Sequence, residues 1–176
     1  RLCLGWRGDP LLHPELKPIL ELCFSMQKKG VFDILRIESS GMFLRESIAQ
    51  FAQLPVPQEW VLHLDGGYHH LLEKYQGHHT RIILRHPIHQ GLLPLQLCTQ
   101  FPNYIPHVGV EPKDASRILW FAPEEELSWD DIRSFGKQYN IPVGVPVQGY
   151  CQAPQRGLVV SWDGKITQCA RDVQLR

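Results

Sequence analysis

Strand-like apolar runs alternate with helix-period patterns over most of the chain. That alternation constrains the fold more than any other feature, because it predicts βα units and a parallel sheet or barrel. Leu2 to Trp6 reads as a first strand. Gly8, Asp9 and Pro10 make a turn, after which Leu16, Ile19, Leu20, Cys23 and Met26 recur at three- and four-residue spacing on one helix face. Pro14 suits the first turn of that helix, Lys28 and Lys29 complement its negative end, and Gly30 stops it. Further strands are expected at Ile34 to Ile37, Trp60 to Leu64, Arg81 to Leu84 and His107 to Val110. Between them, Leu44, Ile48 and Phe51 share a helix face, and a later helix carries Ile132, Phe135 and Tyr139 behind a cap formed by Ser128 and Asp131.

The last thirty or so residues change character. Ile141 to Gly149 is rich in Pro, Gly and Val, as in an extended connector. Leu158 to Ser161 and Ile166 to Gln168 then flank Asp163 and Gly164, a strong hairpin signal.

Alternate residues of a strand share a face, so each run divides in two. Leu35 and Ile37, Leu62 and Leu64, Ile82 and Leu84 form apolar faces, while Arg36 and Glu38, His63 and Asp65, Arg81 and Arg85 form the opposite ones. Barrels ordinarily fill their interior with aliphatic layers, so charges there point to a polar ligand. Asp9, Glu38 and Asp65 beside Arg36 and Arg85 suit a group with both an ammonium and a carboxylate. A sheet with one solvated face accounts for the same pattern, and the alternation alone does not choose between them.

Composition removes several classes of function. In 176 residues, 18 Lys and Arg balance 18 Asp and Glu, without the basic stripe that nucleic-acid binding uses. No run reaches the ~18 uncharged apolar residues of a membrane span, and no secretory leader is visible, so a cytoplasmic location is expected. The five cysteines, Cys3, Cys23, Cys98, Cys151 and Cys169, are odd in number and widely spread, unlike a secreted disulfide framework. Cys3, Cys23 and Cys98 read most simply as small core residues. The histidine pairs His69/His70 and His78/His79 read as loop residues, with His86 and His89 near a strand end. Because the chain opens at Arg1 directly in a strand-like run, a fragment of a longer protein is expected.

Taken together, Gly8-Asp9-Pro10-Leu11-Leu12-His13-Pro14 resembles the Gly-Glu-Pro-Leu-Leu-His-Pro segment of radical S-adenosylmethionine enzymes. Ile37 to Gly41 stands where that family has a third strand ending in a Thr-Asn-Gly-like turn, and His63-Leu64-Asp65-Gly66 looks like its Ser-Leu-Asp-Gly. Cys151, twelve residues, Gly164, four residues and Cys169 match the first half of the auxiliary-cluster domain called SPASM or twitch, with Asp172 also in place.

The resemblance implies an α/β fold: a partial (β/α)6 TIM-like barrel over residues 1–145 lacking its first βα unit, then the β-hairpin of an auxiliary iron-sulfur domain over 146–176. It implies S-adenosylmethionine, a [4Fe-4S] cluster and an auxiliary iron-sulfur cluster as cofactors. Their chemistry would be reductive cleavage to a 5′-deoxyadenosyl radical that abstracts hydrogen from a peptide or small-molecule substrate, with flavodoxin or ferredoxin as electron donor. Gly8, Asp9, Pro10, Ser39, His63, Asp65 and Arg85 would bind S-adenosylmethionine. Asp9 would take its ammonium, and Asp65 and Arg85 its ribose hydroxyls and carboxylate. Cys151 and Cys169 would ligate the auxiliary cluster. The family's Cys-x-x-x-Cys-x-x-Cys loop is absent and is expected before Arg1, so this segment alone would be inactive. A contrasting reading is a cluster-less barrel scaffold or binding protein with a zinc-stapled hairpin.

Overall fold

The computed structural model describes residues 1–5, 8–42, 55, 57–64, 80–88, 94–113, 115–123, 127–145, 159–160 and 166–167. Seven strands form one parallel sheet: β1 Leu2–Leu4, β2 Leu35–Ser39, β3 Glu59–His63, β4 Arg81–Pro87, β5 Ile105–Gly109, β6 Arg117–Ala122 and β7 Val143–Gly144. Their order across the sheet is β1-β2-β3-β4-β6-β5-β7, and every neighbouring pair is parallel. The chain is therefore a mixed α/β protein. The order departs from the sequential winding of a simple barrel at β6, which lies between β4 and β5. A separate antiparallel pair, β8 Val159–Val160 and β9 Ile166–Thr167, occupies the expected hairpin position.

Three helices follow from local sequence. Helix α1, Leu16–Lys28, buries Leu16, Leu20 and Cys23, and Gly30 ends the turn with φ of +75°, a conformation natural to glycine. Helix α2, Pro94–Gln100, buries Leu97. In α3, Trp129–Tyr139, the Ser128 side chain accepts from the Asp131 backbone N–H while the Asp131 side chain takes the Ser128 N–H, a complete capping box. Asn140 closes this helix in the left-handed region, φ 53°.

All three helices cover the same side of the sheet. Leu35, Ile37, Trp60, Leu62, Ile82, Leu84, Leu119 and Phe121 point into one core with Leu20, Leu97 and Ile132. Each such aliphatic side chain contributes about 1.5–3 kcal/mol when fully buried. The other side carries a smaller apolar strip, Val61, Ile83 and Ile118, with charged residues around it.

Handedness explains why, among the described residues, the β5-to-β6 connection leaves the helix side. Parallel crossovers are right-handed, so steps that advance across the sheet in one direction run over one face and a step back must cross the other. The chain advances from β1 to β5 with helices on one face, then steps back from β5 to β6. Residues 110–113, 115 and 116 accordingly lie over the charged face, where Glu111 meets Arg36 and Arg81 and Ala115 packs against the Val61, Ile83 and Ile118 strip. The next step, to β7, advances again, and α3 returns to the helix face.

No helix among the described residues is long and apolar enough to cross a membrane. The expected helix at Leu44 to Phe51 lies outside the described residues. Replacing the cap, Ser128→Ala, should lower stability by about 1 kcal/mol in denaturant unfolding, because the Asp131 backbone N–H loses its acceptor and the Asp131 carboxylate loses the Ser128 hydroxyl.

Candidate functional site

The charged face divides into a closed floor and an open upper part. At the amino-terminal ends of the strands, Arg36 Nε donates to Glu59 Oε2 at 2.7 Å, and its two terminal nitrogens donate to Glu111 at 3.0 and 2.7 Å. Arg81 Nη1 reaches Glu59 at 3.1 Å and Glu111 at 2.9 Å, while its other nitrogens donate to the carbonyls of Ala115 and Pro112. Arg1 adds a third cation on Glu59. The side chains of Glu59, Arg36 and Arg81 keep only 5, 11 and 12% of their exposure. Burial alone would raise the Glu59 carboxyl, but the hydrogen bonds and charges of its arginines outweigh it and hold the group below its ordinary value. Burial would likewise lower Arg36, and the carboxylates of Glu111 and Glu59 reverse that.

This floor corrects one expectation. Arg36 was a candidate for a ligand carboxylate, but two protein carboxylates already engage all three nitrogens of its guanidinium. The strap at 110–116 occupies the space beside it.

Toward the carboxyl ends, where parallel α/β sheets bind their ligands, a second cluster is more open. Glu38 Oε1 is shared by His63 Nε2 at 2.9 Å and Arg85 Nη1 at 3.2 Å. The Arg85 guanidinium carbon lies 5.3 Å from the centre of the Trp120 ring, whose Nε1 donates to the Gly109 carbonyl at 2.8 Å. Side-chain exposure here rises to 24% for Glu38 and 34% for Arg85. Burial would raise the Glu38 carboxyl, yet the His63 hydrogen bond and the charges of His63, Arg85 and Arg36 hold it below its ordinary value.

Asp9, Gly8, Pro10 and Ser39 gather elsewhere. Gly8 takes φ of +135° and leads into a 3-10 turn, Pro10–Leu12, whose cap is Asp9. The Asp9 carboxylate accepts from Leu11 N at 3.0 Å, from Ser39 Oγ at 2.8 and 2.9 Å, and from Ser40 N and Oγ at 3.0 and 2.6 Å. Its oxygens are thus fully used in tying the end of β1 to the end of β2. Ser39 follows Leu35 and Ile37 on the helix side of the strand, so this knot sits on the opposite side from Glu38. Of the expected binding residues, His63 and Arg85 converge through Glu38, and Asp9 meets Ser39, but no described contact joins the two groups.

Cys3 is a second correction. It is paired in register with Arg36 and lies exposed on the charged face rather than in the core. Although solvent touches the residue, the protein around the sulfur and the Glu38 carboxylate push its thiol up to about 11, so it is protonated at neutral pH. Cys23 is buried, as expected, and Cys98 half-buried. Asp65, His69, His70, His78, His79, His89, Cys151 and Cys169 lie outside the described residues. Among the described residues, no group of three or more His, Cys, Asp or Glu is arranged to hold a metal ion.

Sequence reasoning passed over Glu59, Glu111, Ser40 and Trp120. Glu59 carried a readable signal, since it falls on the same face as His63 by strand alternation. Glu111 carried none, because its place depends on the reversed β5-to-β6 step. The chain matches no protein-family model, no curated protein and no solved structure.

Two outcomes follow from the floor. Glu59→Gln should cost about 3 kcal/mol in urea unfolding, because it strips a buried carboxylate from Arg36 and Arg81. Glu38 and Glu59 have lowered folded pKa values, so their stabilisation is complete above the unfolded carboxylate value of about 4.3 and is lost as pH falls through the lower folded values. Thermal midpoints should stay level from neutral pH to about 5 and then decline. The decline should be shallower in Glu59→Gln.

Proposed function

We propose that this chain is part of a radical S-adenosylmethionine enzyme, with residues 1–145 as the greater part of its barrel and 146–176 as the start of an auxiliary iron-sulfur domain. The observation that carries the reading is the open charged cluster of Glu38, His63 and Arg85 at the carboxyl ends of a parallel sheet. The Gly8-Asp9-Pro10 turn at the end of β1 and the β8-β9 hairpin ahead of Cys169 support it in the order the family has them. A partial (β/α)6 barrel is compatible with the parallel run β1 to β4. The inserted β6 would then be a departure from sequential closure.

The described residues fit part of a zwitterionic nucleoside. The Arg85 side chain keeps 34% of its exposure, so its guanidinium can take a carboxylate while Nη1 stays on Glu38. Trp120 gives that guanidinium a fixed flat neighbour. Asp9 fits less well. To receive the ammonium, it would have to release a serine hydroxyl, so its part in this reading is to set the loops after β1 and β2. Together with a reduced [4Fe-4S] cluster, S-adenosylmethionine would supply the radical chemistry of hydrogen abstraction. The chain's own contribution is to orient the nucleoside on the sheet and to close the floor beneath it with the 110–116 strap.

The gene's full chain tests the reading. It should encode a three-cysteine loop within ~30 residues before Arg1, about one βα unit. Anaerobic reconstitution with iron and sulfide should give broad visible absorbance and, under reduction, 5′-deoxyadenosine. Colourless protein that retains zinc alone would instead identify a scaffold with a zinc-stapled hairpin.

A further inference from the structure

Helix α1 carries a charge pattern that its own fold does not use. It buries Leu16, Leu20 and Cys23 in the core and leaves Glu21, Ser25 and Lys28 exposed, with Phe24 half-buried beside them. A groove of about 540 Å³ runs along this stripe, walled by Phe24, Pro55 and Gln58. Gln58 immediately precedes β3, so the groove sits toward the amino-terminal ends of the strands, away from Glu38, His63 and Arg85. The amides beside it are committed within the chain. Gln27 Nε2 donates to the Asp33 carbonyl at 2.7 Å, Gln58 Nε2 to Gln27 Oε1 at 3.4 Å, and the Leu35 N–H to Gln58 Oε1 at 2.9 Å.

Glu21 and Lys28 make no ion pair among the described residues. They stand two turns apart, about 10.5 Å along the helix, too far to meet one another, since helix side chains pair three or four residues apart. Lys28 suits the negative end of the helix, but Glu21 lies mid-helix and gains nothing from it. The stripe Glu21, Phe24, Ser25, Lys28 is symmetric in position and opposite in charge about its midpoint.

We propose that this stripe is an isologous contact, through which α1 packs antiparallel against α1 of a second copy of the chain. A two-fold axis midway between Phe24 and Ser25 is also midway between Glu21 and Lys28. Each Glu21 then faces Lys28 of the other copy, and two ion pairs form at once. The two Phe24 rings meet beside the axis, where the groove gives them room, and the small Ser25 lets the helices approach. A different partner would have to match this spacing of acid and base through its own sequence, whereas a second copy matches it by symmetry. The inference is independent of the cofactor reading, because the contact lies on the outer side of α1 and uses none of the charged face.

Sedimentation velocity on the full chain over rising concentration should show a monomer–dimer equilibrium that added salt weakens. Glu21→Lys and Lys28→Glu each set two like-charge pairs across the axis and should weaken dimerisation by at least about tenfold. An equimolar mixture of the two variants brings opposite charges together at both contacts and should dimerise about as strongly as the unsubstituted protein. The double variant, with both charges exchanged, should do the same. Both residues are exposed, so thermal melts of the variants at low concentration should match the unsubstituted protein, which separates a lost contact from a lost fold. A chain that stays monomeric at every concentration would overturn the inference. So would a dimer that both reversals leave intact, or single variants that remain monomeric when mixed.

Discussion

The right-handedness of parallel crossovers governs this molecule. Once β6 is inserted between β4 and β5, the step from β5 back to β6 must cross the face that the helices leave bare. That single reversal lays residues 110–113, 115 and 116 across the charged side, and everything electrostatic about the face follows. Glu111 is delivered to Arg36 and Arg81, three neighbouring strands are locked through Glu59, and the lower half of the face becomes a closed floor.

Charge cancellation then separates structural groups from available ones. In the floor, two arginines and two carboxylates satisfy one another with almost every donor used. Removing one partner leaves the others stranded, so such a network behaves as a unit. Two residues beyond Arg36 and four beyond Arg81 the same alternation places Glu38 and Arg85, and among the described residues no strap completes them. A residue of the same type therefore sits differently by height in the sheet: Arg36 is held between two carboxylates, and Arg85 stays partly exposed beside one. Asp9 shows the same divide from the other side, being an acid whose hydrogen-bonding capacity is absorbed by two serine hydroxyls and two backbone N–H groups.

Local rules made much of this legible. The period-2 split of β2, β3 and β4 into apolar and charged faces was readable because each strand has one face on the core and one off it. The helix at Leu16–Lys28 and the capped helix at Trp129–Tyr139 were readable from spacing and caps. Strand β6 was not, for a physical reason: it lies between two partners and buries residues on both faces, so Ile118 to Ala122 shows no alternation. Strand β7 was hidden in a Pro-Gly-Val stretch that reads as a connector. The candidate site was half legible, since strand periodicity aligned His63 and Arg85, whereas the capture of Asp9 by Ser39 and Ser40 and of Arg36 by Glu111 depends on contacts between distant segments. Cys3 was misplaced because a short apolar strand at a sheet edge looks the same in sequence whether its middle residue faces the core or the charged side.

The central claim is that the floor is closed and the upper cluster receives the ligand. A crystal structure of the full chain with S-adenosylhomocysteine tests it most directly. The account predicts the amino-acid carboxylate on Arg85 in the open cluster of the charged side, with the contacts of Glu111 to Arg36 and Arg81 unchanged. Density for that group at Asp9 on the helix side, or a ligand lying where the strap had been displaced, would contradict it.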